Sequence, residues 1–252
     1  MNKHKTYRPF MIWVIALGLV GCFDPPEFAE VPSIQYENIV FALGPIRNPD
    51  RPELGRETDT LNLTFEFEDG DGDIGLNSNE DGPPYHSFNI VIDNRDSVVT
   101  ISDDAVEPPF FAVDPFGNRT LISDTDIRPD FVCEGLDWLV VGLDTIFIQA
   151  NEFNKNIFVS FFRKIGGEYI NINAQLSPDP CQQSFDARIP IFDEANIGRS
   201  LSGSITYSMI STGFEPLFRL DTMRLEFFIY DRQLNKSNTV STPDFVLPDI
   251  TR

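Results

Sequence analysis

Histidine is nearly missing from this chain of 252 residues. Only His4 and His86 occur, and cysteine adds three more side chains of the kind that bind soft metals. A zinc site built on several imidazoles is therefore excluded. Basic residues are scarce too, with 19 Lys and Arg against 39 Asp and Glu and a net charge of −20. A surface of that sign repels a phosphate backbone, so we expect no nucleic-acid partner. Helical periodicity is also lacking, since no segment keeps apolar residues at a 3.6-residue spacing for three turns. The N-terminal apolar run, residues 10–20, falls well short of the ~20 residues that cross a bilayer as a helix, and the rest of the chain has no longer one. What is abundant is hydrophobic mass: 41% of residues are apolar and 23 are Phe. That composition builds a core even at this net charge.

Lys3, Lys5 and Arg8 precede the apolar run, which ends in Leu19-Val20-Gly21-Cys22. A charged region, a short apolar region, a small residue and a cysteine in that order read as an export leader over residues 1–21. The ending resembles the lipobox of bacterial lipoproteins. It implies acylation of Cys22 and a membrane contact made through that lipid alone. Phe23 follows the cysteine, so an aspartate in the position of the inner-membrane retention signal is absent, and Asp24 and Glu27 come soon after. We expect an outer-membrane lipoprotein with an acidic, Pro-rich tether over residues 22–33 and a folded body from residue 34 to 252. Cys133 and Cys181 remain, an even count that suits one disulfide in an oxidising compartment, with two free thiols as the alternative.

Wherever apolar residues cluster, they alternate. In Leu61-Asn62-Leu63-Thr64-Phe65-Glu66-Phe67 every odd position is apolar and every even one polar, as in a strand with one face in a core. Similar runs cover residues 88–92, 145–149, 157–162, 169–172, 187–191, 204–209 and 223–230. Strands separated by Gly, Pro, Asn and Asp, with no helices between them, predict an all-β, antiparallel sandwich. Between residues 94 and 143 the strand spacing breaks down. We expect a long insertion there, or a second small domain, because structureless loops of that length are rare in compact folds.

The string Phe67-Glu68-Asp69-Gly70-Asp71-Gly72-Asp73-Ile74-Gly75 places three aspartates at alternate positions directly after a strand. Carboxylates so close repel one another, and hard oxygens on a glycine-kinked backbone suit Ca²⁺. An EF-hand is rejected, although Glu80 stands eleven residues after Asp69: Ile74 occupies the position that needs glycine, and a strand replaces the entering helix. A solvated Asp-Gly hairpin turn is the plainer reading. Near the C-terminus, Phe227-Phe228-Ile229-Tyr230-Asp231-Arg232-Gln233-Leu234-Asn235-Lys236-Ser237-Asn238 sets another aspartate at a strand exit. Together the two strings resemble a pattern of Bacteroidetes surface lipoproteins with an immunoglobulin-like β-sandwich, over about residues 60–76 and 185–247. Within that resemblance, if the two strands are neighbours and run parallel, as first and last strands can in such sandwiches, their aspartate turns meet at one end. Asp69, Asp71, Asp73 and Asp231 then form one calcium site, unless Asp231 only caps its turn.

For catalysis the inventory is thin, because no carboxylate pair is singled out and His86 is the one imidazole outside the leader. Phe110, Phe111, Phe116 and Trp138 in the insertion are candidate aromatics for a partner or a sugar ring, or lids on their own core. The resemblance thus implies a non-enzymatic, lipid-anchored surface protein used for binding to a protein or glycan, or for assembly. A glycan-processing enzyme with a carboxylate pair, or a glycan-binding accessory of an outer-membrane transporter, is the alternative.

Overall fold

A computed structural model describes residues 27–47, 49–50, 58–176, 181, 184–192 and 197–252. The leader, Cys22 and the first residues of the tether lie outside the described residues. The fold is all-β, with three antiparallel sheets.

The first sheet is β1 (Ser33–Ala42), β2 (Asp59–Asp69) and β10 (Leu201–Ser211), with β2 central. The second is ordered β12 (Val240–Ser241), β11 (Met223–Ile229), β8 (Ile157–Ile165) and β9 (Glu168–Asn171). These two sheets share one core. β2 contributes Leu61, Leu63, Phe65 and Phe67, β8 contributes Ile157, Val159 and Phe161, and β11 contributes Met223, Leu225, Phe227 and Ile229. Phe65 and Phe227 meet across the layer with ring centroids 5.3 Å apart. Burial of each such side chain stabilises by roughly 1.5–3 kcal/mol, and the alternation visible in the sequence is the cause of this packing.

Two segments depart from that alternation. β1 changes register between Tyr36 and Asn38, so its inward positions shift from Ile34 to Ile39 and Phe41, and period two is hidden in the sequence. Residues 187–191 alternate like a strand but contribute only an isolated bridge from Ala187 to Ile157. The Asn156 side chain takes the Ile189 backbone on both sides, accepting from its N–H at 2.6 Å and donating to its C=O at 3.2 Å. Pro190 lacks an N–H, which further removes this segment from a ladder.

Residues 88–150 build the third sheet, in the order β5 (Arg119–Ser123), β4 (Phe110–Val113), β3 (Phe88–Ile92), β7 (Asp144–Ala150) and β6 (Trp138–Val141). The stretch 94–143 thus carries three of its strands rather than a structureless loop. Val91, Val99, Phe110, Trp138 and Phe147 form a separate small core. Cys133 and Cys181 are joined in a disulfide with Cα atoms 5.6 Å apart, tying this part of the chain to the segment that follows β9. Among the described residues no helix is long and apolar enough to cross a membrane; α1 (Phe214–Phe218) is five residues long.

Candidate metal centre

The inward row of β2 reads Leu61, Leu63, Phe65, Phe67, and the next inward position is Asp69. The inward row of β11 reads Met223, Leu225, Phe227, Ile229, and two residues on comes Asp231. Both strands run to the same end of the sandwich, so each apolar row ends in a carboxylate and the two face each other across the core. The strands lie in opposite sheets and are not hydrogen-bonded neighbours, which corrects the geometry implied by the resemblance. Asp73 joins from the loop after β2. Carboxylate oxygens of Asp69, Asp73 and Asp231 lie within 4.8 Å of one another, and these residues are only 0%, 6% and 3% exposed.

The Asp-Gly string is not a hairpin turn. Residues 72–76 are buried, and the chain crosses to the third sheet instead of folding back. Gly72 has φ +62°, and a Cβ there would sit 2.3 Å from the Arg199 carbonyl oxygen. Gly75 has φ +124°, with the Ile191 backbone 2.5 Å from where its Cβ would be. Only glycine fits at both positions. The loop is tied back on itself, with the Asp73 N–H donating to Asp69 Oδ2 at 2.8 Å. Asp231 is fixed by its own turn, since Asn235 donates its backbone N–H and its Nδ2 to the two carboxylate oxygens at 2.7 and 2.8 Å. It therefore caps a turn and also completes the trio.

Asp71, expected as a fourth ligand, is not part of the trio. Its Oδ2 accepts from Gln233 Nε2 and the residue as a whole is half-buried, but its Oδ1 is buried without a hydrogen-bond partner. Its charge still acts on the three carboxylates inside. Burial, then the charges of Asp71 and Asp73, push the Asp69 carboxyl up to about 7. Burial, then Asp231 and Asp71, push Asp73 up to about 6. Asp231 is raised as well, chiefly by burial.

The nearest cation relieves this repulsion only in part, the backbone N–H and the charge of Arg232 lowering Asp73 but not reversing the upward shift. Arg232 directs its guanidinium to Glu80, at 2.7 and 3.0 Å, and to the Gly75 carbonyl at 3.3 Å, while lying over the Tyr85 ring. Only its backbone N–H reaches Asp73, at 3.3 Å. Tyr85 donates its hydroxyl to the Arg232 carbonyl at 2.6 Å. This brace of Glu80, Arg232 and Tyr85 has no signature in the sequence, where Glu80 stands out only by its distance from Asp69. Asp69 Oδ1, meanwhile, is buried and has no hydrogen-bond partner. A buried acceptor left unmatched costs about 1–3 kcal/mol, and more when charged. Three inward carboxylates, one with an open oxygen, are a donor set for a hard cation that takes six to eight oxygens.

The remaining candidates are separate from this centre. Phe110 and Trp138 are buried in the third sheet's core, and Trp138 donates its Nε1–H to the Pro129 carbonyl at 3.1 Å. Neither is available to a partner, which corrects that reading for these two. Phe111 is half-buried, and Phe116 is 73% exposed on the turn between β4 and β5. His86 bonds Asn89 Oδ1 through Nε2 at 2.7 Å. Compared with protein families, curated proteins and solved structures, the chain finds no match.

Proposed function

We propose that this chain is a non-enzymatic, lipid-anchored envelope protein whose sandwich is stabilised by one calcium ion and serves in binding or assembly. The observation that carries the reading is the fully buried Asp69, whose Oδ1 lacks a partner beside the carboxylates of Asp73 and Asp231. Calcium suits the trio because it accepts carboxylates with flexible geometry and fills its remaining positions from carbonyls and water. The ion would join the exits of β2 and β11, one from each sheet, and so act as a clamp across the sandwich. The burial of the trio argues for a structural role, since a substrate has no access to a carboxylate that is 0% exposed.

Two further observations support the envelope and immunoglobulin-like parts of the reading. The Cys133–Cys181 bond suits an oxidising compartment, as does an export leader ending in Cys22. If β3–β7 are set aside, the seven other strands in chain order form sheets 1-2-5 and 7-6-3-4. That is close to the immunoglobulin arrangement, with the fourth strand beside the third instead of the fifth. Isothermal titration of the purified protein with Ca²⁺ tests the proposal. One site per chain is expected, and it should disappear in Asp69→Asn; heat of binding that is absent in the wild type, or unchanged in Asp69→Asn, overturns it.

A further inference from the structure

The outward face of the first sheet is covered by short polar side chains, such as the Thr64–Thr206 hydroxyl pair and Ser208 on Asn62. One face of the third sheet is different. On β3 the alternate residues Phe88, Ile90 and Ile92 share a face, and register places Val113 opposite Ile90 and Phe111 opposite Ile92. Val98 closes the same floor through its bridge to Ile92. Ile90 is 38% exposed and Val98 is 42% exposed, so this is aliphatic surface that the described residues leave uncovered. It forms the floor of a groove of about 680 Å³, within the range of ligand sites.

The rim of the groove is acidic. Asp81 and Asp114 stand on opposite loops, and Asp96 is neutralised by Arg119 at 2.5 Å. Asp114 accepts from the Phe116 and Asn118 backbones and from Asn118 Nδ2, all of which favour its charged form. Asp81 is 71% exposed and touches a cation only loosely, at 3.8 Å from Arg188. That guanidinium is mainly engaged with the carbonyls of Asn154, Asn77 and Tyr85. The groove therefore combines an apolar floor with two carboxylates whose charge is available to a ligand.

We infer that this groove binds a peptide segment in which apolar side chains are flanked by Lys or Arg, the former seated on Ile90 and Val98 and the latter set between Asp81 and Asp114. The inference names a partner class for the binding role proposed above, and it does not depend on the cation.

Titration calorimetry with acetyl-Lys-Leu-Phe-Lys-amide, acetyl-Lys-Ala-Ala-Lys-amide and acetyl-Glu-Leu-Phe-Glu-amide tests it, in calcium and in EDTA, with melting temperatures read separately so that loss of the cation reading is seen on its own. The first peptide should bind and the other two should be weaker by about tenfold or more. Ile90→Asp is the decisive variant. It makes the groove more negative, so attraction by bulk charge alone predicts tighter binding, whereas a groove that needs its floor predicts loss by about tenfold or more. Val98→Asp gives the same contrast if Ile90→Asp does not fold. Ile210→Asp, on the exposed outward side of β10, should bind like the wild type. Equal binding of the Leu-Phe and Ala-Ala basic peptides, or tighter binding by Ile90→Asp, overturns the inference. So does a wild-type dimer that rejects the peptide and is dissociated by Ile90→Asp, which would assign the groove to a second copy of the chain.

Discussion

Replacing Asp73 by Asn separates a cation clamp from an acidic cluster that is merely tolerated. Charges 4.8 Å apart at an effective dielectric of 20 repel by about 3 kcal/mol per pair. Asp73 takes part in two such pairs, with Asp69 and Asp231. At pH 6 Asp69, whose carboxyl lies at about 7, is almost fully protonated, which removes one of the two pairs and so about half of that total. In EDTA the Asn variant should thus be more stable than the wild type by about 2–3 kcal/mol, or roughly 5–10 °C for a chain of this size. Little is lost locally, because Asn retains an oxygen for the Arg232 N–H. In calcium the order reverses. A ligand at a thousandfold excess over Kd stabilises the native state by about 4.1 kcal/mol, and the variant forgoes most of this. Thermal unfolding followed by circular dichroism, with both proteins in EDTA and in calcium, gives all four values. A variant that is weaker than the wild type by the same margin in both buffers would refute the reasoning.

In EDTA, stability should fall as pH rises from about 5 to 8, since the folded state holds protons on Asp69 and Asp73 that the unfolded state has released above about 3.8. Chemical denaturation across that range checks the sign, and calcium should flatten the slope. Gly72→Ala should destabilise by about 1–3 kcal/mol through its φ of +62° and the Arg199 carbonyl, measured by the same denaturation. Cys133→Ser with Cys181→Ser should lower the melting temperature, the loop of 48 residues corresponding to about 4 kcal/mol on chain-entropy grounds. Cys22→Ala should leave the protein unacylated and in the soluble fraction, and persistence on membranes in high salt would contradict lipid anchoring.

The sandwich was legible where one rule governs a strand. β2 and β11 each keep a single inward parity for their full length, so alternation identified them. β1 changes parity at its bulge, and residues 187–191 obey the rule but yield their backbone to the side chain of Asn156, an interaction across 33 residues of sequence. In the third sheet β3 and β7 were legible as alternating runs, whereas β4, β5 and β6 were obscure because they are short and their Phe110 and Trp138 occupy a separate core. The candidate centre was half visible. Alternating aspartates pointed to a cation, but spacing could not tell Asp71 from its neighbours. Extending the inward row of each strand by one more position reaches Asp69 and Asp231, a signal present in the sequence. The Glu80–Arg232–Tyr85 brace joins residues up to 152 positions apart, and no local pattern announces it.

The centre itself is tested most directly by crystals grown in calcium, with anomalous scattering used to locate the ion. One peak is expected between Asp69, Asp73 and Asp231, with carboxylate oxygens, Asp69 Oδ1 among them, at about 2.3–2.6 Å. A map with no peak there, and with Asp69 Oδ1 bonded instead to water or a protein donor, would contradict the cation site.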